Sequence, residues 1–164
     1  MMDEDSSGGE ETSVGFTPRG SESEIVDQLN AHVREHEFLA ELGFAVETIE
    51  DGRLRASVPH DEKYANPGMG GRLHGGIVVS ALDSVMGFTL MAALGRTETR
   101  KVGPTVNLTT NFVSSADEAL DATGEIVRIG SSTAVVDGEL RGRDSDRVIA
   151  TGQGVWRVYD DSER

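Results

Sequence analysis

The chain has 164 residues, of which 29 are Asp or Glu and 15 are Lys or Arg, so its formal net charge is −14. This length fits one domain with a real core and is too short for two ordinary domains. The net negative charge repels nucleic acids and anionic membranes, which argues against both as partners. Because the sequence has no cysteine, disulfides, thiolate metal sites and cysteine nucleophiles are excluded.

The basic residues are almost all arginines, since Lys63 and Lys101 are the only lysines among the 15. An acid surplus with so few lysines resembles proteins that work in very high salt, where ions screen the repulsion between like charges. We therefore expect a halophilic protein that loses structure when salt is removed. The alternative is an ordinary acidic cytosolic protein.

The first residues are Gly, Ser, Thr and acids with hardly any apolar side chain, too few to order the segment by burial. We predict a disordered acidic tail over residues 1–22, one domain over residues 23–159, and a frayed C-terminus over residues 160–164. The N-terminus is acidic where a targeting sequence would be basic, and no apolar run is a convincing membrane span. We expect a cytoplasmic protein.

Apolar residues recur at helical spacing from Ser23 to Leu42, and Gly43 is a natural stop. They predict a helix with a possible break near His36. His32 and His36 are four residues apart, which is a metal-pair spacing, but no third ligand is apparent. We therefore expect no metal and place both imidazoles on the solvated surface of the helix.

Apolar and polar residues alternate on both sides of the turn dipeptide Asp51-Gly52, over residues 44–50 and 53–58, and predict a hairpin. A loop over residues 59–72 follows and contains His60, expected at the surface, and Asn66. The loop is rich in glycine but lacks the Gly-Lys-Ser/Thr ending of a phosphate-binding P-loop. No cofactor is expected.

A long apolar segment from His74 to Leu94 predicts a helix that is buried on nearly all sides. Asp83, in its middle, is the one residue with a fixed charge between Arg72 and Arg96. A bare carboxylate in apolar surroundings costs several kcal/mol, so Asp83 must be solvated by a pocket, paired or protonated. Helical spacing places it on a small polar stripe made of Gly76, Ser80, Asp83 and Gly87.

Four strand-like segments follow, over residues 105–113, 120–129, 133–141 and 148–159, with short polar connections. Their lengths and connections suit an antiparallel meander. A hairpin, one helix and four strands predict the α+β class, with one antiparallel sheet wrapped around the central helix.

Asn66, the run Leu73-His74-Gly75-Gly76 and Asp83 nine residues after the histidine resemble the signature of hotdog-fold acyl-CoA thioesterases of the phenylacetate-degradation type. The likeness continues through residues 103–108, Phe112 and the Arg128-Ile-Gly-Ser turn, and covers about residues 38 to 158. It implies a single-domain hotdog fold that hydrolyses acyl-CoA to the free acid and CoA. It also implies a homodimer, often a dimer of dimers, with each site formed across the dimer interface.

The resemblance implies four catalytic residues. The Gly75 N–H would stabilise the oxyanion, and Asp83 of the partner subunit would act as general base or, alternatively, as nucleophile. Asn66 would orient the attacking water, and Thr105 would form a hydrogen bond near Asp83 or the water. One subunit would not suffice, because eight residues of helix separate Gly75 from Asp83 by about 12 Å.

The resemblance also implies substrate contacts, with Arg128 in a turn that meets CoA phosphate. His74 is expected mainly to support the loop and the helix start. The substrate-binding residues are predicted to be His74, Gly76, Asn107, Phe112, Arg128, Gly130 and Ser131.

Three alternatives remain open at this point. One is a non-catalytic acyl-CoA binding module, which would have no need of Asp83. Another is a hydratase or dehydratase, which pairs an acid with a histidine, although no histidine follows Asp83 in the chain. The third is a purely structural oligomer. The acyl group is not readable from the sequence, since Met86, Phe88, Met91 and Phe112 suit an acyl tunnel and a packed core equally well.

Overall fold

Two helices open the computed structural model, which describes residues 16–96 and 99–160. Helix α1 spans Glu22–Glu35 and α2 spans Glu37–Leu42. His36 separates them with extended dihedrals (φ −94°, ψ 97°), which confirms the predicted break. Ser21 and Glu24 form a capping box at the start of α1, each side chain accepting from the other's backbone N–H.

Both predicted termini fall partly outside the described residues. Residues 1–15 of the predicted acidic tail and residues 161–164 of the predicted frayed end are not described. The chain that leads into α1 is packed against the domain, because Pro18 is buried and the Phe16 ring stacks on His32 with centroids 4.8 Å apart.

The predicted hairpin is confirmed as strands β1, Ala45–Glu50, and β2, Arg53–Val58. Asp51 and Gly52 connect them with positive φ angles of 50° and 77°. Two consecutive left-handed residues are what a tight hairpin turn with the right-handed strand twist requires, and Asp-Gly adopts them readily.

The predicted central helix is confirmed as α3, Gly75–Leu94, with His74 as its N-cap. It follows a short 3-10 helix, Glu62–Tyr64, and a loop. α3 is long and apolar enough to cross a membrane, but 61% of its most apolar window is buried inside the domain. It is therefore the core helix of this fold.

Four further strands complete the sheet: β3, Arg100–Phe112; β4, Leu120–Ile129; β5, Thr133–Gly142; and β6, Val148–Asp160. All pairings are antiparallel, in the order β1-β2-β4-β5-β6-β3. The predicted α+β arrangement, with one sheet around a central helix, is confirmed.

The predicted meander is wrong for β3, which begins at Arg100 rather than near Thr105 and lies at the far edge of the sheet, beside β6. Helix α3 leaves the β1-β2 edge, and the chain re-enters the sheet at the opposite edge. Strand β4 then returns to pair with β2. Short connections favour neighbouring strands, but the sequence does not show on which side of the sheet a helix delivers the chain.

Three glycines in adjacent strands let α3 lie directly on the sheet. Gly124, Gly138 and Gly152 are cross-strand partners in β4, β5 and β6. A Cβ on Gly124 would lie 2.1 Å from Thr89 Oγ1, and one on Gly138 would lie 2.8 Å from Met86 Cγ. Side chains at this row would push the helix away, so the glycines define where the sheet wraps around it.

Candidate active site

Asp83 lies half-buried near the middle of α3, and Thr105 of β3 donates a hydrogen bond to it. The distance from Thr105 Oγ1 to Asp83 Oδ1 is 2.9 Å. The predicted contact between these two residues is therefore present. The carboxylate also faces a cleft, so it is both solvated and hydrogen-bonded, which accounts for a charged group in an otherwise apolar helix.

The cleft beside Asp83 has a volume of about 310 Å³. Its wall on α3 includes three members of the predicted polar stripe, Ser80, Asp83 and Gly87. The remaining lining is mainly apolar and aromatic: His32, His36, Phe38, Leu39, Ser84, Phe88, Met91, Val102, Gly103, Thr105 and Trp156. A volume near the lower end of the roughly 300–1,000 Å³ common for small-molecule sites suits a compact ligand.

The N-terminus of α3 has one backbone N–H, that of Gly75, which its cap residue His74 does not bind. His74 Nδ1 accepts a hydrogen bond from Gly76 N at 2.9 Å, so His74 supports the helix start as predicted. The Gly75 N–H belongs to the first turn, where a helix offers no partner, and none is found for it among the described residues. Gly75 therefore keeps a donor at the positive end of the helix dipole.

Phe112, at the end of β3, lies against this helix start. A Cβ on Gly75 would be 3.4 Å from Phe112 Cε1, and the Phe112 side chain is exposed. The structure thus places Phe112 beside the Gly75 donor and outside the residues that line the Asp83 cleft.

The loop with Asn66 is fixed to the same helix start by backbone hydrogen bonds. Asn66 N donates to Arg72 O at 2.8 Å, and His74 N donates to Tyr64 O at 2.8 Å. His60 Nε2 lies 2.6 Å from Gly71 O and adds a further tie across the loop. Half-buried Asn66 therefore lies at the start of the loop, and its backbone pairs with Arg72 just before Gly75.

A thioesterase superfamily model matches residues 70–149, from the end of this loop into β6. A Halobacterium salinarum protein named "Putative esterase VNG_1336C" is 31% identical over 139 residues, covering 81% of this chain and 91% of that protein. The chain belongs to the thioesterase superfamily.

The solved structures agree with the hotdog fold of this superfamily. A thioesterase family protein from Silicibacter pomeroyi is 27% identical with a TM-score of 0.71, and the match covers 84% of this chain and 98% of that protein. Thioesterase HI1161 from Haemophilus influenzae is 17% identical with a TM-score of 0.75, covering 91% and 99% of the two chains. The predicted hotdog fold is confirmed.

The predicted site residues of this superfamily member fall into separate groups within one chain. Asp83 and Thr105 are in direct contact, while Gly75, Gly76, His74 and Asn66 gather at the helix start. Asn107 lies on the exposed part of β3, where its Oδ1 accepts from Thr109 Oγ1 at 3.4 Å. Its role in substrate binding stays a prediction.

Arg100, which the sequence analysis did not single out, holds the predicted CoA-binding turn by hydrogen bonds. Arg100 of β3 donates to Gly130 O and, at 2.8 Å, to Ser131 O. Arg128 is exposed at the end of β4, next to this turn. Arg100 lies outside the strand predicted over residues 105–113, and its proximity to residue 130 depends on the pairing of distant strands.

The prediction of solvated surface is confirmed for His36 and wrong for His32, whose ring packs between Phe16 and Phe88. His36 is exposed and His32 is half-buried, and both line the cleft that contains Asp83. The reason is topological: the fold packs the His32 side of α1 against Phe88 of α3. Within residues 16–96 and 99–160, no group of three or more His, Asp or Glu is arranged to hold a metal ion.

Proposed function

We propose that this thioesterase superfamily member hydrolyses acyl-CoA thioesters and is of the phenylacetate-degradation type. The observation that carries the proposal is the hydrogen-bonded Asp83 carboxylate in a cleft lined with apolar and aromatic side chains. The cleft would hold a compact acyl group beside the carboxylate. A binding module would gain nothing from placing a charge there, because a carboxylate in an acyl pocket weakens binding by its desolvation.

The proposed site combines two subunits. Gly75 and Asp83 lie on one helix, eight residues or about 12 Å apart along its axis, too far to act on the same carbonyl. In a symmetric dimer, Gly75 of one subunit can lie beside Asp83 of the partner subunit, and two such sites form.

Strand β3 is the surface that supports this dimer. It is an edge strand of 13 residues and carries exposed apolar side chains, Val106 at 58% and Phe112 at 59% exposure. A long edge strand with exposed apolar residues aggregates unless it is covered. A second copy that pairs along β3 would cover it and bring the two helix starts and the two Asp83 clefts together. Two such dimers would associate into the dimer of dimers implied by the resemblance.

The chemistry follows from these positions. Asp83 takes a proton from water, and the water oxygen bonds to the thioester carbonyl carbon. The Gly75 N–H stabilises the oxyanion, and Asn66 orients the water. When the carbonyl re-forms, the C–S bond breaks and the proton held by Asp83 passes to the CoA sulfur. The alternative is attack by Asp83 itself, which forms a mixed anhydride that water then hydrolyses.

CoA is a polyanion and the chain has a net charge of −14. Binding of the CoA phosphates therefore needs a positively charged side chain nearby. The turn at Gly130, fixed by Arg100 and flanked by exposed Arg128, offers one. Arg128 would form charge-assisted hydrogen bonds to phosphate oxygens.

The test uses two replacements at Gly75 that separate its N–H from its size. Gly75→Pro removes the donor at the first helical position, where proline is tolerated. The preceding His74 already has the φ −60°, ψ 139° that a residue before proline prefers. Gly75→Ala keeps the donor and places a Cβ 3.4 Å from Phe112. We expect thiol release from acyl-CoA to fall about 100-fold or more in Gly75→Pro, and much less in Gly75→Ala.

Asp83→Asn provides the second test, and mixing the two inactive proteins tests the dimer. Asp83→Asn should lose thiol release while its melting temperature and oligomeric state are kept. When Gly75→Pro and Asp83→Asn subunits are co-refolded, each mixed dimer has one site with both native groups, so about a quarter of wild-type activity should return. No recovery in demonstrably mixed dimers contradicts the shared site. Binding without hydrolysis by the wild type favours the binding module.

One observation keeps the hydratase as a second candidate. His32 and His36 lie in the cleft of Asp83, so the acid and imidazole groups that a hydratase combines are both present. A hydratase would consume the double bond of an enoyl-CoA without releasing thiol. Measuring both signals on one enoyl-CoA sample distinguishes the two reactions.

A further inference from the structure

One wall of the Asp83 cleft is formed by α1, the break at His36 and α2, and its polar groups are the imidazoles of His32 and His36. His32 is held by ring contacts, stacked on Phe16 with an interplanar angle of 7° and edge-on to Phe88 with centroids 6.1 Å apart. His36 lies one helical turn further on, with its ring 6.4 Å from that of Phe38. The ring of His32 is therefore fixed in orientation without a hydrogen bond.

The imidazole nitrogens are available to a ligand. Among residues 16–96 and 99–160, neither ring of this pair has a hydrogen-bond partner. The cleft lining around them is apolar, formed by Phe38, Leu39, Phe88 and Met91. An imidazole offers a donor and an acceptor in its neutral form, so the two histidines add polar atoms beside these apolar side chains, on the wall opposite Ser80, Asp83 and Ser84 of α3.

The contact of His32 with Phe88 suggests a length for the test ligands, because Phe88 and Asp83 lie on the same helix and line the same cleft. His32 contacts Phe88, five residues beyond Asp83 on α3. Five residues of helix correspond to about 7.5 Å, which is spanned by an extended acyl chain of about six carbons. A chain of this length, with its thioester carbonyl at Asp83, would reach the axial level of Phe88, whose ring His32 contacts in the same cleft.

We propose that His32, with His36, selects acyl groups that carry a hydrogen-bonding oxygen at the end remote from the thioester. This inference rests on the proposed function, because it takes the Asp83 cleft as the acyl site. The oxygen belongs to a hydroxyl or a carboxylate, both of which an imidazole N–H can bind. His32 is a specificity-determining residue here, separate from the proton transfer at Asp83.

A purely structural role for His32 makes a different prediction. If the ring served only to stack between Phe16 and Phe88, phenylalanine would replace it with no change in substrate preference. His32→Phe keeps the aromatic contacts and removes the nitrogens, so it separates the two roles. His36→Leu removes the second imidazole, and Arg34→Gln, on the exposed part of α1, is the matched control.

The experiment compares thiol release from hexanoyl-CoA, 6-hydroxyhexanoyl-CoA and the mono-CoA thioester of adipic acid. For the wild type and Arg34→Gln, we expect kcat/KM to be several-fold higher for one or both oxygen-bearing substrates than for hexanoyl-CoA. In His32→Phe that ratio should fall about fivefold, the size expected for one lost hydrogen bond; taking the ratio within each variant cancels any change in rate that all three substrates share. His36→Leu should lower the ratio in the same direction.

The outcomes separate this inference from the proposed function. Hydrolysis of hexanoyl-CoA at least as fast as both oxygen-bearing substrates overturns the inference and leaves the thioesterase intact. So does a preference that survives in both histidine variants. Failure of the wild type to release thiol from any acyl-CoA, the three above and aromatic and longer ones included, overturns the proposed function and the inference with it. The preferred substrate identifies the oxygen as hydroxyl or carboxylate.

Discussion

At the scale of single residues, the central feature is the Asp83 carboxylate, whose charge is accommodated by a hydrogen bond and an open cleft. Asp83 is the one fixed charge in a helix whose neighbours Leu82 and Val85 are fully buried. It accepts a hydrogen bond from Thr105 and faces a cleft. The hydroxyl fixes the orientation of one carboxylate oxygen and leaves the other for water. In the proposed mechanism, Thr105 would therefore act through Asp83 as a positioning residue.

Replacing Thr105 by valine should lower kcat because Asp83 would lose the donor at 2.9 Å while the volume of the side chain is kept. We expect a loss of about tenfold, the size of a hydrogen bond to a charged group, with little change in KM. Steady-state kinetics with one acyl-CoA measures this loss. The Thr105→Ser variant keeps the hydroxyl donor and should keep most of the wild-type rate. A serine variant that loses rate while the valine variant keeps it would show that packing of the methyl group matters instead.

The residues that local patterns placed correctly have partners close in the chain, whereas the contact between Asp83 and Thr105 came from the family resemblance. His74 caps the helix that begins at the next residue, and Asp51-Gly52 forms the turn between adjacent strands. The surroundings of His32 were predicted wrongly and the contacts of Arg100 were not predicted, because their partners, at residues 88 and 130, are far away in the chain. A single sequence has no signal for such pairs beyond the fold as a whole.

At the scale of elements, the row of Gly124, Gly138 and Gly152 determines how α3 sits on the sheet. A helix that is apolar all round must be buried on all sides. Because glycine has no side chain, the backbone of the sheet can contact α3 directly at this row. The three contacts differ in how easily they can yield. At Gly138 the nearest atoms belong to the flexible Met86, whereas at Gly124 they include the backbone oxygen of Val85.

Gly124→Ala should destabilise the protein by roughly 1–3 kcal/mol, the usual cost of overpacking a core. Its Cβ would lie 2.1 Å from Thr89 Oγ1 and 3.0 Å from Val85 O, so the helix must shift. Gly138→Ala should cost less, because Met86 can change rotamer. Denaturant unfolding of both variants measures the difference.

Thr123→Ala is the control, since this neighbouring β4 residue is only half-buried and alternation along the strand turns it away from α3. A Gly124→Ala protein as stable as Thr123→Ala would mean that the helix does not rest on the glycine row.

The elements also show where pattern reading stops. Strands β4, β5 and β6 were predicted within one residue of their ends, because alternation and short turns are local. The start of β3 was missed, since Arg100 and Lys101 are charged and stand next to a helix end. Their place in the sheet comes from pairing with residues 159 and 160, at the other end of the domain.

At the scale of the whole molecule, the chain carries a formal net charge of −14. Arginines are paired with acids over the surface, as in Arg53–Glu125 at 2.6 Å and Arg143–Glu47 at 2.6 Å. Exposed ion pairs of this kind contribute little individually. The remaining acids repel one another and favour the expanded, unfolded chain. Stability should therefore depend on how strongly the solvent screens them.

We expect the melting temperature to rise by about 10 °C or more between millimolar and molar KCl, since a few kcal/mol of relieved repulsion moves it that far in a domain of this size. Screening shortens from about 10 Å at 0.1 M to about 3 Å at 1 M, so most of the rise should occur below 1 M. A rise that instead continues linearly through several molar would indicate salt exclusion from the surface. A melting temperature that does not change from millimolar to molar salt contradicts the halophilic adaptation, because the self-repulsion would then be too small to matter.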